Sequence, residues 1–170
     1  MRADWVSDDI LGHILAALMP QNALAIRVSR DTGLRIGDVL RLKPQNVEPN
    51  RAKFTIKEQK TGKTRSVYIP KKLREELFSI SGKYWVFEHR LDPAKHRTRQ
   101  AVFKDIRRAA KAFRVLEHVS PHSARKLYAV AYYQRCKSLK KVKNLLNHSD
   151  EAVTMIYAMA DVITRKKSRG

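Results

Sequence analysis

The sequence predicts a mostly α-helical domain with one small antiparallel β element, a hairpin or a three-stranded sheet. Three observations lead there. Apolar residues recur at helical spacing over most of the chain, the period drops to two between Ala52 and Ile69, and no repeat, low-complexity tract or long linker divides the sequence. With 43% apolar residues, 170 residues suffice for a full core, so a single domain is expected over 1–170. Its body spans 1–160, followed by a tail, 161–170, whose last residues fray.

Ser7-Asp8-Asp9 supplies an N-cap and first-turn acids, and Ile10, Leu11, Ile14, Leu15 and Leu18 then share a helix face up to Pro20. A second helix runs from about Asn22 to Asp31, Gly33 ends it, and helix resumes from Ile36 to Leu42. Arg35 therefore stands at a break between helices, where a side chain is available to a cleft rather than to packing. In the next segment Ala52, Phe54 and Ile56 alternate with Lys53, Thr55 and Lys57; Lys60-Thr61-Gly62-Lys63 turns the chain, and Thr64 to Ile69 alternates again. This is a hairpin with lysines at its tip. Helices follow at about Lys71–Ile80, Arg99–Phe113, Pro121–Gln134, Leu139–Leu146 and Asp150–Met159, with Pro121 suited to a first turn. Tyr84 to Phe87 reads as a short third strand and Leu91 to Arg97 as a basic loop.

Thirty-six Lys and Arg against 16 Asp and Glu leave a formal charge of +20, spread along the chain rather than held in one tail. The expected partner is a polyanion, nucleic acid first, because a duplex presents a dense line of phosphates and each cation docked there releases a condensed counterion. A membrane surface comes second, and no stretch approaches the roughly 20 apolar residues that span a bilayer. Met1 to Asp9 has no apolar signal core. A cytoplasmic, nucleoid-associated protein is expected. The lone Cys136 forms no disulfide or zinc site by itself and reads as a buried helix residue.

Four motifs then occur in a fixed order. They are Thr32-Gly33-Leu34-Arg35 with Asp38 three residues on, Lys60 before Thr61-Gly62, Pro121-His122-Ser123-Ala124-Arg125, and Leu145-Leu146-Asn147-His148 with Tyr157 nine residues after the histidine. Together they resemble the catalytic domain of the tyrosine recombinases, the phage integrase family, over roughly residues 7 to 160. The resemblance implies a site-specific DNA recombinase that integrates, excises or inverts DNA, with Tyr157 as nucleophile and a 3′-phosphotyrosyl intermediate. Lys60 protonates the departing 5′-oxygen, His122 helps deprotonate Tyr157 or holds the phosphate, and His148 donates to a non-bridging oxygen. Asp38 orients an arginine or His122. No metal, ATP or organic cofactor is implied, and the enzyme is a homotetramer on DNA and a monomer when free.

The residue types make chemical sense without the family. Attack on a phosphodiester gathers negative charge around a five-coordinate phosphorus, and without a metal that charge must meet fixed cations. Arginine donates two parallel hydrogen bonds and stays charged at any working pH, so Arg35 and Arg125 form the expected pair. Lys57, Lys63, Arg65, Arg97, Arg99 and Lys126 flank the motifs and are the expected DNA contacts. Acidic residues are scarce here, and Glu117, His118 and His122 cannot make an H-E-x-x-H helix across Pro121.

Alternatives remain at this point. Lys57 or Lys63 takes the acid's role if the hairpin register shifts, His122 can be a helix cap, and His13, His89, His96 and His118 read as solvated or structural. Asn147 stands where the family has glycine, and Asp38 where glutamate is commoner. The helical core-binding domain that precedes this region in most integrases is expected to be absent, and Val162-Ile163 is a small apolar anchor for a neighbouring subunit. A type IB topoisomerase shares the tyrosine chemistry, and a non-catalytic DNA-binding module shares the fold.

Overall fold

A computed structural model describes residues 6–146. Asn147, His148, Tyr157 and the helix expected at Asp150–Met159 lie outside the described residues.

Helix α1, Asp8–Ala17, opens where Ser7 accepts a hydrogen bond from the Ile10 amide at 3.3 Å. Helix α2, Pro20–Thr32, starts two residues earlier than its apolar pattern, because Pro20 occupies a first-turn position that needs no amide donor. Gly33 ends it with φ 68°, and a Cβ there would come within 2.3 Å of the Tyr128 ring. Conformation and space therefore both require glycine at this position. The short α3, Ile36–Leu40, and a 3₁₀ turn, Pro44–Asn46, lead into the hairpin.

Strands β1, Lys53–Lys57, and β2, Thr64–Tyr68, pair antiparallel with Phe54 opposite Val67 and Ile56 opposite Arg65. Phe54 and Val67 are buried in the core. Arg65 sits across from the partly buried Ile56, so the inward hairpin face ends in a cation.

Helices α4, Lys71–Ser79, α5, Arg99–Ala112, α6, Pro121–Cys136, and α7, Leu139–Leu146, complete the described chain. Tyr84 to Phe87 is not a third strand. Its amides find isolated partners, Val86 donating to the Leu42 carbonyl at 2.9 Å, and among the described residues the one isolated bridge nearby joins Glu88 and His96. The sheet has two strands.

The long α2 lies along α6, and α3 and α5 pack beside them. One apolar cluster runs from Leu11 and Ile14 through Ile26, Leu40 and Phe87 to Ile106 and Ala124. A second, smaller one joins Ala129 of α6 to Val142 and Leu146 of α7. Packing α2 on α6 sets the break after Gly33 beside the start of α6, which brings two distant arginines to one side of the molecule.

Candidate active site

Arg35 is positioned by a locked turn. The Thr32 hydroxyl donates to the Val28 carbonyl at 2.6 Å and accepts from the Leu34 amide at 3.2 Å, while Ser29 Oγ donates to the Leu34 carbonyl at 2.7 Å. The chain then leaves extended at Arg35, whose Nη1 donates to Glu58 Oε2 at 2.8 Å.

Lys60 rides on the hairpin turn. The Gly62 amide donates to the Glu58 carbonyl at 2.9 Å, Gly62 adopts φ 66°, and the Gln59 amide donates to Asp38 Oδ1 at 2.9 Å. Asp38 thus holds the turn next to Lys60, and among the described residues its hydrogen bond is to that turn rather than to an arginine or His122. Its short side chain begins in the first turn of α3, and the partner within reach is the turn's main chain.

Arg125 and His122 come from the first turns of α6. Ser120 caps this helix by accepting from the His122 amide at 3.2 Å, which places His122 exposed at the mouth and Arg125 buried one turn further on. Arg125 Nη2 donates to the carbonyl of Leu146, the last residue of α7, at 2.7 Å.

Arg35, Lys60, His122 and Arg125 line one cleft of about 700 Å³, with Asp38, Arg99 and Lys126 in the same wall. Four segments that span ninety positions of sequence thus meet at a concentration of positive charge. Among the described residues, no three His, Cys, Asp or Glu side chains gather as a cation site.

The remaining expected DNA contacts divide. Lys57 and Lys63 are exposed on the hairpin and do not line the cleft. Arg65 is turned inward, its Nη2 donating to the Thr32 carbonyl and its Nη1 3.7 Å from Glu58 Oε1. Arg97 is buried, its guanidinium donating to Asn22 Oδ1 at 2.6 Å and Gln21 Oε1 at 2.7 Å, so it is not brought to the cleft.

Two features went unread in the sequence. Glu58 is fully buried behind Arg35; the available signal was a single acid in a hairpin otherwise rich in lysine and arginine. A second groove of about 400 Å³ shares Gln100, Phe103 and His122 with the cleft and runs past Lys104 and Arg107. The spacing 100, 103, 104, 107 on one helix face was its signal.

Residues 6–162 match the phage integrase family. The chain belongs to the phage integrase family. The chain is 30% identical over 139 residues to the probable integrase/recombinase YoeC of Bacillus subtilis, covering 80% of this chain and 76% of that protein. It is 26% identical over 162 residues to a tyrosine recombinase of Thermosipho africanus, covering 91% of this chain and 56% of that one. Among solved structures, a lambda integrase dimer bound to a COC′ core site superposes with a TM-score of 0.73 at 23% identity, over 91% of this chain and 48% of that one. The chain spans about half the length of these last two relatives. The fold is that of the tyrosine recombinase catalytic domain, and no helix among the described residues is long and apolar enough to cross a membrane.

Proposed function

We propose that this integrase-family chain cuts and rejoins double-stranded DNA at a specific site, as the catalytic domain of a site-specific recombinase. The observation that carries the reading is the meeting of Arg35, Arg125, Lys60 and His122 in one cleft.

The two guanidiniums grip the non-bridging oxygens of the scissile phosphate and stabilise the charge of the five-coordinate state. The Tyr157 phenol attacks phosphorus as its proton leaves toward His122, the bond from phosphorus to the 5′-oxygen breaks, and Lys60 supplies the proton that the 5′-oxygen takes up. His148 donates to a non-bridging oxygen. The product is a 3′-phosphotyrosine and a free 5′-hydroxyl. Attack by a partner strand's 5′-hydroxyl reverses the step and joins new ends, with no net change in the number of phosphodiester bonds. Arg99 and Lys126 hold neighbouring phosphates, and Lys57 and Lys63 extend the contact along the hairpin. Exchange between two sites requires four such domains, a homotetramer on DNA assembled from free monomers. The reaction belongs in the cytoplasm, at the nucleoid.

Incubation with a nicked suicide duplex, in which the short fragment beyond the cut diffuses away, tests the reading. The chain is expected to become covalently attached to DNA, and Tyr157→Phe to abolish attachment while leaving gel retardation unchanged. Retardation without attachment by the parent chain contradicts it.

A further inference from the structure

Glu58, at 0% exposure, is the most deeply buried acid among the described residues, yet it lies in a hairpin whose other charges are Lys53, Lys57, Lys60, Lys63 and Arg65. A carboxylate withdrawn from water persists only when cations and donors replace its hydration. Here Arg35 Nη1 at 2.8 Å and the Thr61 hydroxyl at 3.1 Å bond one oxygen, and Arg65 Nη1 lies 3.7 Å from the other.

The main chain of the same residue closes the turn that carries Lys60. Its amide donates to the Lys63 carbonyl at 3.0 Å and its carbonyl accepts from the Gly62 amide at 2.9 Å. One residue thus fixes Arg35 through its side chain and the Lys60 turn through its backbone, and the Thr61 bond ties the two together. The negative charge of Glu58, taken alone, weakens the attraction of the cleft for phosphate. What it contributes is therefore geometry: a guanidinium plane held at a fixed angle and a turn held at a fixed height.

We propose that Glu58 is a positioning residue that sets Arg35 and the Lys60 turn as one rigid unit on the scissile phosphate; this rests on the function proposed above. Two substitutions separate geometry from charge. Glu58→Gln keeps the reach and an oxygen that accepts from Arg35 and Thr61 but loses the charge. Glu58→Asp keeps the charge and withdraws the acceptor by one methylene.

The experiment is single-turnover covalent capture by the full chain on nicked suicide duplexes whose scissile 5′-bridging atom is oxygen or sulfur, beside gel retardation, at a temperature where melting curves show each variant folded. On the oxygen duplex Glu58→Gln is expected within about threefold of the parent, and Glu58→Asp about 10- to 100-fold slower with DNA retention unchanged. A sulfur leaving group departs without a proton from Lys60, so the Glu58→Asp deficit should shrink there without vanishing, the remainder being the share of Arg35. Parental cleavage by Glu58→Asp, Glu58→Gln as slow as Glu58→Asp, or retention and cleavage falling together overturns the inference. An equal deficit on both duplexes overturns its Lys60 half. If the parent itself captures no DNA, the recombinase reading fails first; if the parent captures and Glu58→Asp matches it, only the role of Glu58 falls.

Discussion

Two arginine clusters with buried carboxylate partners, one at Asp105 and one at Glu58, are finished to different degrees. At the elbow between α1 and α2, the Arg97 side chain donates from Nε to Asn22 and from Nη1 to Gln21, with Nη2 3.7 Å from the Met19 sulfur. Asp105 accepts from the Met19 amide at 2.8 Å, Asn22 Nδ2 at 2.7 Å and Arg108 Nη2 at 2.7 Å. At the cleft and around Glu58 behind it, by contrast, Arg35 Nη2, Asp38 Oδ2 and Arg65 Nε are buried with no hydrogen-bond partner among the described residues. A buried polar group left unpaired costs about 1–3 kcal/mol, so natural proteins keep such groups mainly where function uses them. The completed cluster is scaffold, joining the elbow and the loop before α5 to α5 itself. The incomplete one leaves donors of Arg35 and Arg65 and an acceptor of Asp38 without a described partner.

The sharpest way to break this contrast is to remove the hub of the completed cluster. Asp105→Ala strips a 6%-exposed carboxylate from between Arg108 and Asn22 and is expected to cost about 1–3 kcal/mol in urea unfolding, with DNA cleavage per folded molecule unchanged. Loss of cleavage in fully folded protein makes the elbow part of the active site instead.

The same carboxylate gives a pH signature. Burial pushes its pKa up, but hydrogen bonds from Asn22, Arg108 and the Met19 amide outweigh that and hold it below the ordinary aspartate value. A lowered folded pKa stabilises the fold fully above the unfolded value, about 3.9, and the benefit is lost as pH falls through the lower folded value. Asp105→Asn is therefore expected to flatten this part of the acid limb of a stability profile. A steep limb that persists unchanged assigns it to other carboxylates.

The smallest effect separates scaffold from DNA contact. Arg99→Ala is expected to weaken DNA retention and to lower the slope of log affinity against log salt by about one, as loss of a phosphate contact does. Arg97→Ala should leave that slope unchanged and lower the melting temperature. The reverse pattern restores Arg97 as a DNA contact.

This split also explains what the sequence made legible. Helices with a local start or stop signal, such as α2 before Gly33 and α6 at Pro121, were readable to within two residues, because caps are local physics. Arg35 stood out in the sequence as a long cation at a helix break, while Arg125 entered through the motif Pro121-His122-Ser123-Ala124-Arg125; the fold sets both at one cleft. The burial of Arg97 was hidden, since a basic residue in a basic loop looks the same whether its partners are phosphates or Asn22 and Gln21, which lie 75 and 76 positions away. The strand expected at Tyr84–Phe87 failed for a similar reason. Its aromatic and β-branched residues fit a strand, but among the described residues neither β1 nor β2 pairs with it, and tertiary context decides β structure. Glu58 was hidden because a glutamate before a turn ordinarily points to water, and only the fold brings Arg35 to it.

The proposed grip of Arg35 and Arg125 on a single phosphate is tested most directly by a double-mutant cycle in single-turnover cleavage. Each single alanine variant is predicted to cleave the nicked duplex about 10²- to 10³-fold more slowly than the parent. The double variant should be scarcely slower than the worse single one, because groups that act as a unit are strongly non-additive. Losses that multiply, or either single variant cleaving at the parental rate, contradict it.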